Sequence, residues 1–227
     1  MKPLIPLQSN VKENWRVCFK EKLMQHELGN DPAHDLAHFE RVAQTATQLC
    51  EAEGGKWEVV LPAAWLHDFV IIAKNDARRS QASKLSAEAA IAYLQSINYP
   101  EEFFSEIAHA IEIHSFSAKL EAKTLEAQIV QDSDRLDALG AIGIARCFAT
   151  AGVMKSSLYE PHDPFGLSRA RDDRAFALDH FYVKLFEIVK TLKTAAGRRE
   201  GEVRLETMNY FIQELGRELG KSPLSDC

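Results

Sequence analysis

The chain has 227 residues, 46% of them hydrophobic, and a formal net charge of −6. This fits a globular protein with a single core, and a whole-molecule field of this sign does not favour nucleic acid. No run approaches the ~18 apolar residues of a membrane span, and the N-terminus has no apolar signal core, so a cytoplasmic protein without membrane attachment is expected.

The four cysteines, Cys18, Cys50, Cys147 and Cys227, show no CxxC spacing. That argues against a zinc knot or a disulfide framework and fits a reducing compartment. Residues 1–10 and 221–227 are expected to be loose ends. From about Trp15 to Leu28, Trp15, Cys18, Phe19 and Leu23 recur at helical spacing, and Gly29-Asn30-Asp31-Pro32 stops the helix. Asp35 is a candidate N-cap for the next helix, whose stripe is Phe39, Val42, Ala43, Ala46, Leu49 and Cys50. Gly54-Gly55 ends it. Val59 to Leu66 is apolar on every side, so the helix it forms is expected in the core.

Lys74 to Lys84 is a polar, basic segment. Helices are expected over Ser86–Ile97, Phe103–Ile113 and from about Thr124, the last with Glu126 in its first turn. A small-residue helix over Ala138–Ala151 follows. Tyr159–Asp173 reads as a long loop, and long loops in compact domains are often binding loops. The last two helices are expected over Phe176–Leu192 and Gly201–Leu219. No alternating strand pattern interrupts this series. The expected fold is all-α, a single-domain helical bundle over residues 1–227 with its core at about 30–215.

Three stretches carry chemistry. His67-Asp68 ends the core helix, where a carboxylate is costly unless something positive meets it. His34-Asp35-Leu36-Ala37-His38 lies upstream, and Gln131-Asp132-Ser133-Asp134-Arg135-Leu136-Asp137 downstream. A distant His, a His-Asp pair and a distant Asp form a set of nitrogen and oxygen ligands for a divalent transition ion. Such an ion activates water for phosphoester hydrolysis. Asp132 and Asp134 are two residues apart and cannot both face one ion from a regular helix.

These blocks resemble the HD superfamily of metal-dependent phosphohydrolases. With Lys74-Asn75, Arg79, Ala108 to Ala118, Asp163-Pro164-Phe165 and Asp179-His180-Phe181 in this order, they resemble its bacterial YedJ/YpgQ-like branch. The resemblance implies an HD-type helical domain holding one divalent ion (Mn, Co, Ni, Mg or Fe) with His38, His67, Asp68 and Asp134. Asp134 is preferred to Asp132 because Ser133-Asp134-Arg135-Leu136 is similar to the Ala-Asp-Arg-Leu of other HD enzymes. Phe69-Val70-Ile71-Ile72 lacks the Glu-Asp pair of the superfamily's signalling-nucleotide hydrolases.

The branch implies nucleoside triphosphate pyrophosphohydrolysis, with a small-molecule nucleotide as partner and the oligomeric state open. Asp68 is expected at the reacting centre. His114 could donate to a phosphate or leaving group, and Lys74, Arg79 and Lys184 could neutralise phosphates. His34, Asp35 and Asp132 are expected to orient ligands. His109 and His180 are expected as satisfied core histidines. Two alternatives stand beside this one: a non-catalytic nucleotide- or signal-binding module, and a two-metal HD oxygenase using His109 and His114.

Overall fold

A computed structural model of the chain describes residues 11–25, 35–72, 76, 78–115 and 121–223. Contacts divide the chain into two compact units, Met1–Asp134 and Arg135–Cys227. The regular elements among the described residues are helices, with one isolated β-bridge, Ser157 to Phe176. Among them no single helix is long and apolar enough to cross a membrane.

In the first unit α1 spans Val11–Met24, α2 Leu36–Glu53 and α3 Trp57–Leu66. α4 (Ala82–Ser96) and α5 (Phe104–Ile113) follow, each preceded by a 3₁₀ turn, and α6 runs over Leu125–Leu136. α1 is described as far as Met24, and the expected end at Leu28, with the Gly29-Asn30-Asp31-Pro32 stop, lies outside the described residues. α4 starts before the expected Ser86, at Ala82, because the turn Arg79–Gln81 leads straight into it.

α3 is the hub: it packs against α1, α2, α4 and α5, and every residue from Val59 to Leu66 is buried. A helix apolar on all sides has no solvent face, which is why it ends in the middle of the unit. Pro62 sits inside it and has no N–H for the Glu58 carbonyl one turn back. The Tyr99 hydroxyl donates to that carbonyl at 2.8 Å, so the proline's omission is satisfied from outside the helix. α2 begins at Asp35, whose carboxylate accepts from the His38 backbone N–H at 2.8 Å, and ends at Gly54 with φ of 76°. Its predicted stripe is buried throughout.

In the second unit α7 spans Gly140–Met154. The helix expected over Phe176–Leu192 is three joined pieces: α8 (Ala177–His180), a π-helical turn (Phe181–Leu185) and α9 (Phe186–Val189). α10 runs over Ala195–Leu219, starting before the expected Gly201. Thr194 caps it, accepting from Gly197 N–H at 2.9 Å. Gly201 is instead a close-approach site, where a Cβ would lie 2.4 Å from Leu192 Cδ1.

The long loop before α8 is tied down. Asp163 accepts from the Leu167, Ser168 and Arg169 amides, and Arg169 forks onto both oxygens of buried Asp179 at 2.6 and 2.7 Å. Cys18, Cys50 and Cys147 are free thiols, and only Cys50 is fully buried.

Candidate metal centre

Four helices of the first unit deliver side chains to one place. His38 comes from the first turn of α2, His67 and Asp68 from the end of α3, His114 from the end of α5, and Asp134 from the last turn of α6. His67 caps α3, and its Nδ1 lies 2.8 Å from the Ala64 carbonyl. A carbonyl only accepts, so Nδ1 carries the proton and Nε2 keeps a bare lone pair. At the end of α5 the His114 Nδ1 likewise donates to a carbonyl three residues back, that of Ile111, at 2.6 Å.

The Nε2 atoms of His38 and His67 are 3.3 Å apart. Asp134 Oδ1 lies 3.7 Å from the first and 3.9 Å from the second. Asp68 Oδ2 is 3.7 Å from His67 Nε2, and Asp68 Oδ1 is 3.4 Å from His114 Nε2. Two groups of three thus have ligand atoms within 4.8 Å of one another: His38, His67 and Asp134, and His67, Asp68 and His114. The three imidazoles are buried, while the Asp68 and Asp134 carboxylates are 22% and 29% exposed. The cluster is therefore open on its acidic side.

Burial pushes the His67 imidazole down to about 4 against the pull of Asp68, so it is neutral at pH 7. Burial also opposes charge on His114, but its hydrogen bond to Asp68 and the charges of Asp68 and Asp134 outweigh this and hold it at about 9. Burial raises the Asp134 carboxyl, yet the neighbouring histidines His67, His38 and His114 bring it below the ordinary carboxylate range. Imidazole nitrogens of His38 and His67 converging with carboxylates fit a divalent transition ion of the nitrogen- and oxygen-preferring kind.

The remaining predicted residues are placed as follows. Asp35 bonds the His38 backbone and is a helix cap. Asp132 is fully buried and belongs to neither group of three. His109 is in neither group, and its Nε2 is buried with no hydrogen-bond partner among the described residues, contrary to the expectation of a satisfied histidine. His180 is satisfied by Asp173 at 2.9 Å. His34 and Lys74 lie outside the described residues, and of Arg79 only the backbone is described. Lys184 is exposed on the π-helical turn of the second unit.

Two polar residues matter beyond the roles expected for them. Glu126 was expected only to meet the α6 dipole. It is buried, and its carboxylate accepts from the Lys56 N–H at the start of α3, at 3.1 Å. With His67 close to Asp134, α3 and α6 are joined at both ends. Gln131 is buried on α6, and its amide donates to the Ile113 carbonyl at 2.9 Å. A polar residue three before Asp134, hence on its face of the helix, was the available signal.

Residues 35–139 match the HD domain family model. The uncharacterised protein YpgQ of Bacillus subtilis is 31% identical over 190 residues, covering 82% of this chain and 84% of YpgQ. A crystal structure of YpgQ superposes with a TM-score of 0.73 at 29% identity, covering 92% and 97% of the two chains. A second YpgQ structure, in complex with ADP, gives 0.69 at 29% identity over 91% and 97%. An HD-superfamily hydrolase of Bacillus thuringiensis gives 0.70 at 30% identity over 93% and 100%. With the family match and these relatives spanning the same helices that build the cluster, the chain belongs to the HD superfamily, in its YpgQ-like branch.

Proposed function

We propose that the chain is a metal-dependent phosphohydrolase acting on a nucleotide, and that it releases diphosphate from a nucleoside triphosphate. The observation that carries this reading is the approach of the His38 and His67 Nε2 atoms to 3.3 Å beside Asp134 Oδ1 at 3.7 and 3.9 Å. His38, His67, Asp68 and Asp134 would hold one divalent ion. Bound there, the ion supplies Lewis acidity, which makes water a competent nucleophile near neutral pH and polarises a phosphoryl oxygen.

The chain's own residues do the rest. Ala64 fixes the His67 tautomer that leaves Nε2 unprotonated. Asp68 and Asp134 form the open edge of the cluster, where phosphate and water enter. His114, whose Nε2 faces Asp68 Oδ1 at 3.4 Å, would supply a proton or a positive charge to a phosphate oxygen on that edge. Lys74, Arg79 and Lys184 are proposed contacts for the outlying phosphates. The nucleotide is supported by the ADP complex of YpgQ.

The test is to measure metal content and then screen the metal-loaded protein against a nucleotide panel, separating products by chromatography. About one ion per chain with diphosphate released supports the reading. An ion with nucleotide binding but no turnover would favour a binding module. Two ions with oxygen uptake would favour an oxygenase. No ion at all would overturn the site.

A further inference from the structure

His114 stands at the end of α5, where the last carbonyls of a helix have no intrahelical partner. One of them, that of Ile113, accepts from the buried Gln131 amide at 2.9 Å. Gln131 lies three residues before Asp134, so one face of α6 gives a carboxylate to the cluster and an amide to the backbone beside His114. The His114 ring is also held by the Ile111 carbonyl at 2.6 Å, and its Nε2 meets Asp68 Oδ1 at 3.4 Å.

We propose that Gln131 is a positioning residue: it fixes the last turn of α5 so that His114 meets Asp68, and through His114 it sets the aim of the Asp68 carboxylate. The role requires a donor of this length. Ile113 is buried, and its carbonyl needs a hydrogen-bond donor, which the Gln131 amide supplies. Asp68 turns one oxygen, Oδ2, to His67 at 3.7 Å and the other, Oδ1, to a second partner at 3.4 Å. That partner is His114.

The test uses Gln131→Met, which keeps the volume and removes the donor, with Gln131→Leu repeating the loss in a second shape. In chelated protein carrying ¹⁵N-histidine, the Nδ1–H signals of His114 and His67 are compared. The His67 bond to Ala64 involves no atom of Gln131 and is the internal control. The expected result is faster exchange of the His114 signal with the His67 signal unchanged. Equal loss of both, or no change in either, overturns the proposal.

A second measurement rests on the metal reading above. Mn²⁺ affinity should fall about tenfold in Gln131→Met, the scale of outer hydrogen bonds at metal sites. It should fall no further when the same change is made in His114→Ala. An equal loss in both backgrounds overturns the proposal. If the wild-type chain takes up no ion, the metal reading alone fails, and the imidazole signals still decide the role of Gln131.

Discussion

The ends of α3 and α5 are built alike. Each closes on a buried histidine whose Nδ1–H bonds the carbonyl three residues back, Ala64 in one and Ile111 in the other. Yet the two imidazoles sit in opposite states, one pushed down to about 4 and the other held at about 9. Local structure does not separate them. His67 faces the His38 nitrogen at 3.3 Å, and its nearest carboxylate oxygen is 3.7 Å away, so burial wins. His114 faces Asp68 at 3.4 Å, so the carboxylate wins. The same helix-end motif thus makes a neutral imidazole at one place and a cation at another, according to the neighbour it meets.

The strongest way to break the contrast is to remove Asp68. Asp68→Ala should reduce nucleotide hydrolysis to background while leaving the helical circular dichroism largely intact, because the carboxylate and the cation it compensates leave together. His114 then keeps burial as its main influence, and its pKa should fall from about 9 to below the ordinary 6.5, read by NMR titration of ion-free protein. Retained activity in this variant would make Asp68 structural.

Next in size is the comparison of Asp134 with Asp132. They differ by ~200° in azimuth on one helix. Asp134→Ala should weaken Mn²⁺ or Co²⁺ binding by well over the ~10–100-fold typical of an outer partner. Asp132→Ala should weaken it less and lower the melting temperature more, since Asp132 is fully buried. Loss of metal binding in the Asp132 variant alone would place the ligand two residues earlier.

A pH profile sharpens the contrast further. His114 binds its proton more tightly folded than unfolded, so its stabilisation is complete below about 6.5 and is lost as pH rises towards about 9. His67 binds its proton less tightly folded, so stability falls as pH drops from 6.5 towards about 4. The melting temperature of chelated protein should therefore peak near pH 6.5. Asp68→Asn should flatten the alkaline limb and keep the acid one. An unchanged alkaline limb would show that Asp68 does not hold the His114 proton.

The smallest expected effect is at the other end of α3. Tyr99→Phe strands the Glu58 carbonyl that Pro62 leaves open, at a cost of ~1 kcal/mol in chemical denaturation. Metal affinity should not change, because the His67 end is held separately by Ala64.

What the sequence determined by itself was the helical order, the buried α3 and the identity of the converging groups. Local rules suffice for these. Period sets the stripe of α2, Asp35 and Gly54 set its ends, and an all-apolar run must be interior. Where two local signals competed, the sequence was less informative. Gly201 looked like a helix start but is a close packing site, and the Thr194 cap lies upstream of it. The π-helical turn at Phe181–Leu185 left no mark on the hydrophobic period.

The tertiary structure alone decided which polar residues act on one another. Glu126 meets Lys56, and Gln131 meets Ile113, across separations that no periodicity encodes. It also decided the charge on His67 and on His114. A side chain's protonation depends on burial and on charges within a few ångströms, and those come from helices distant in sequence.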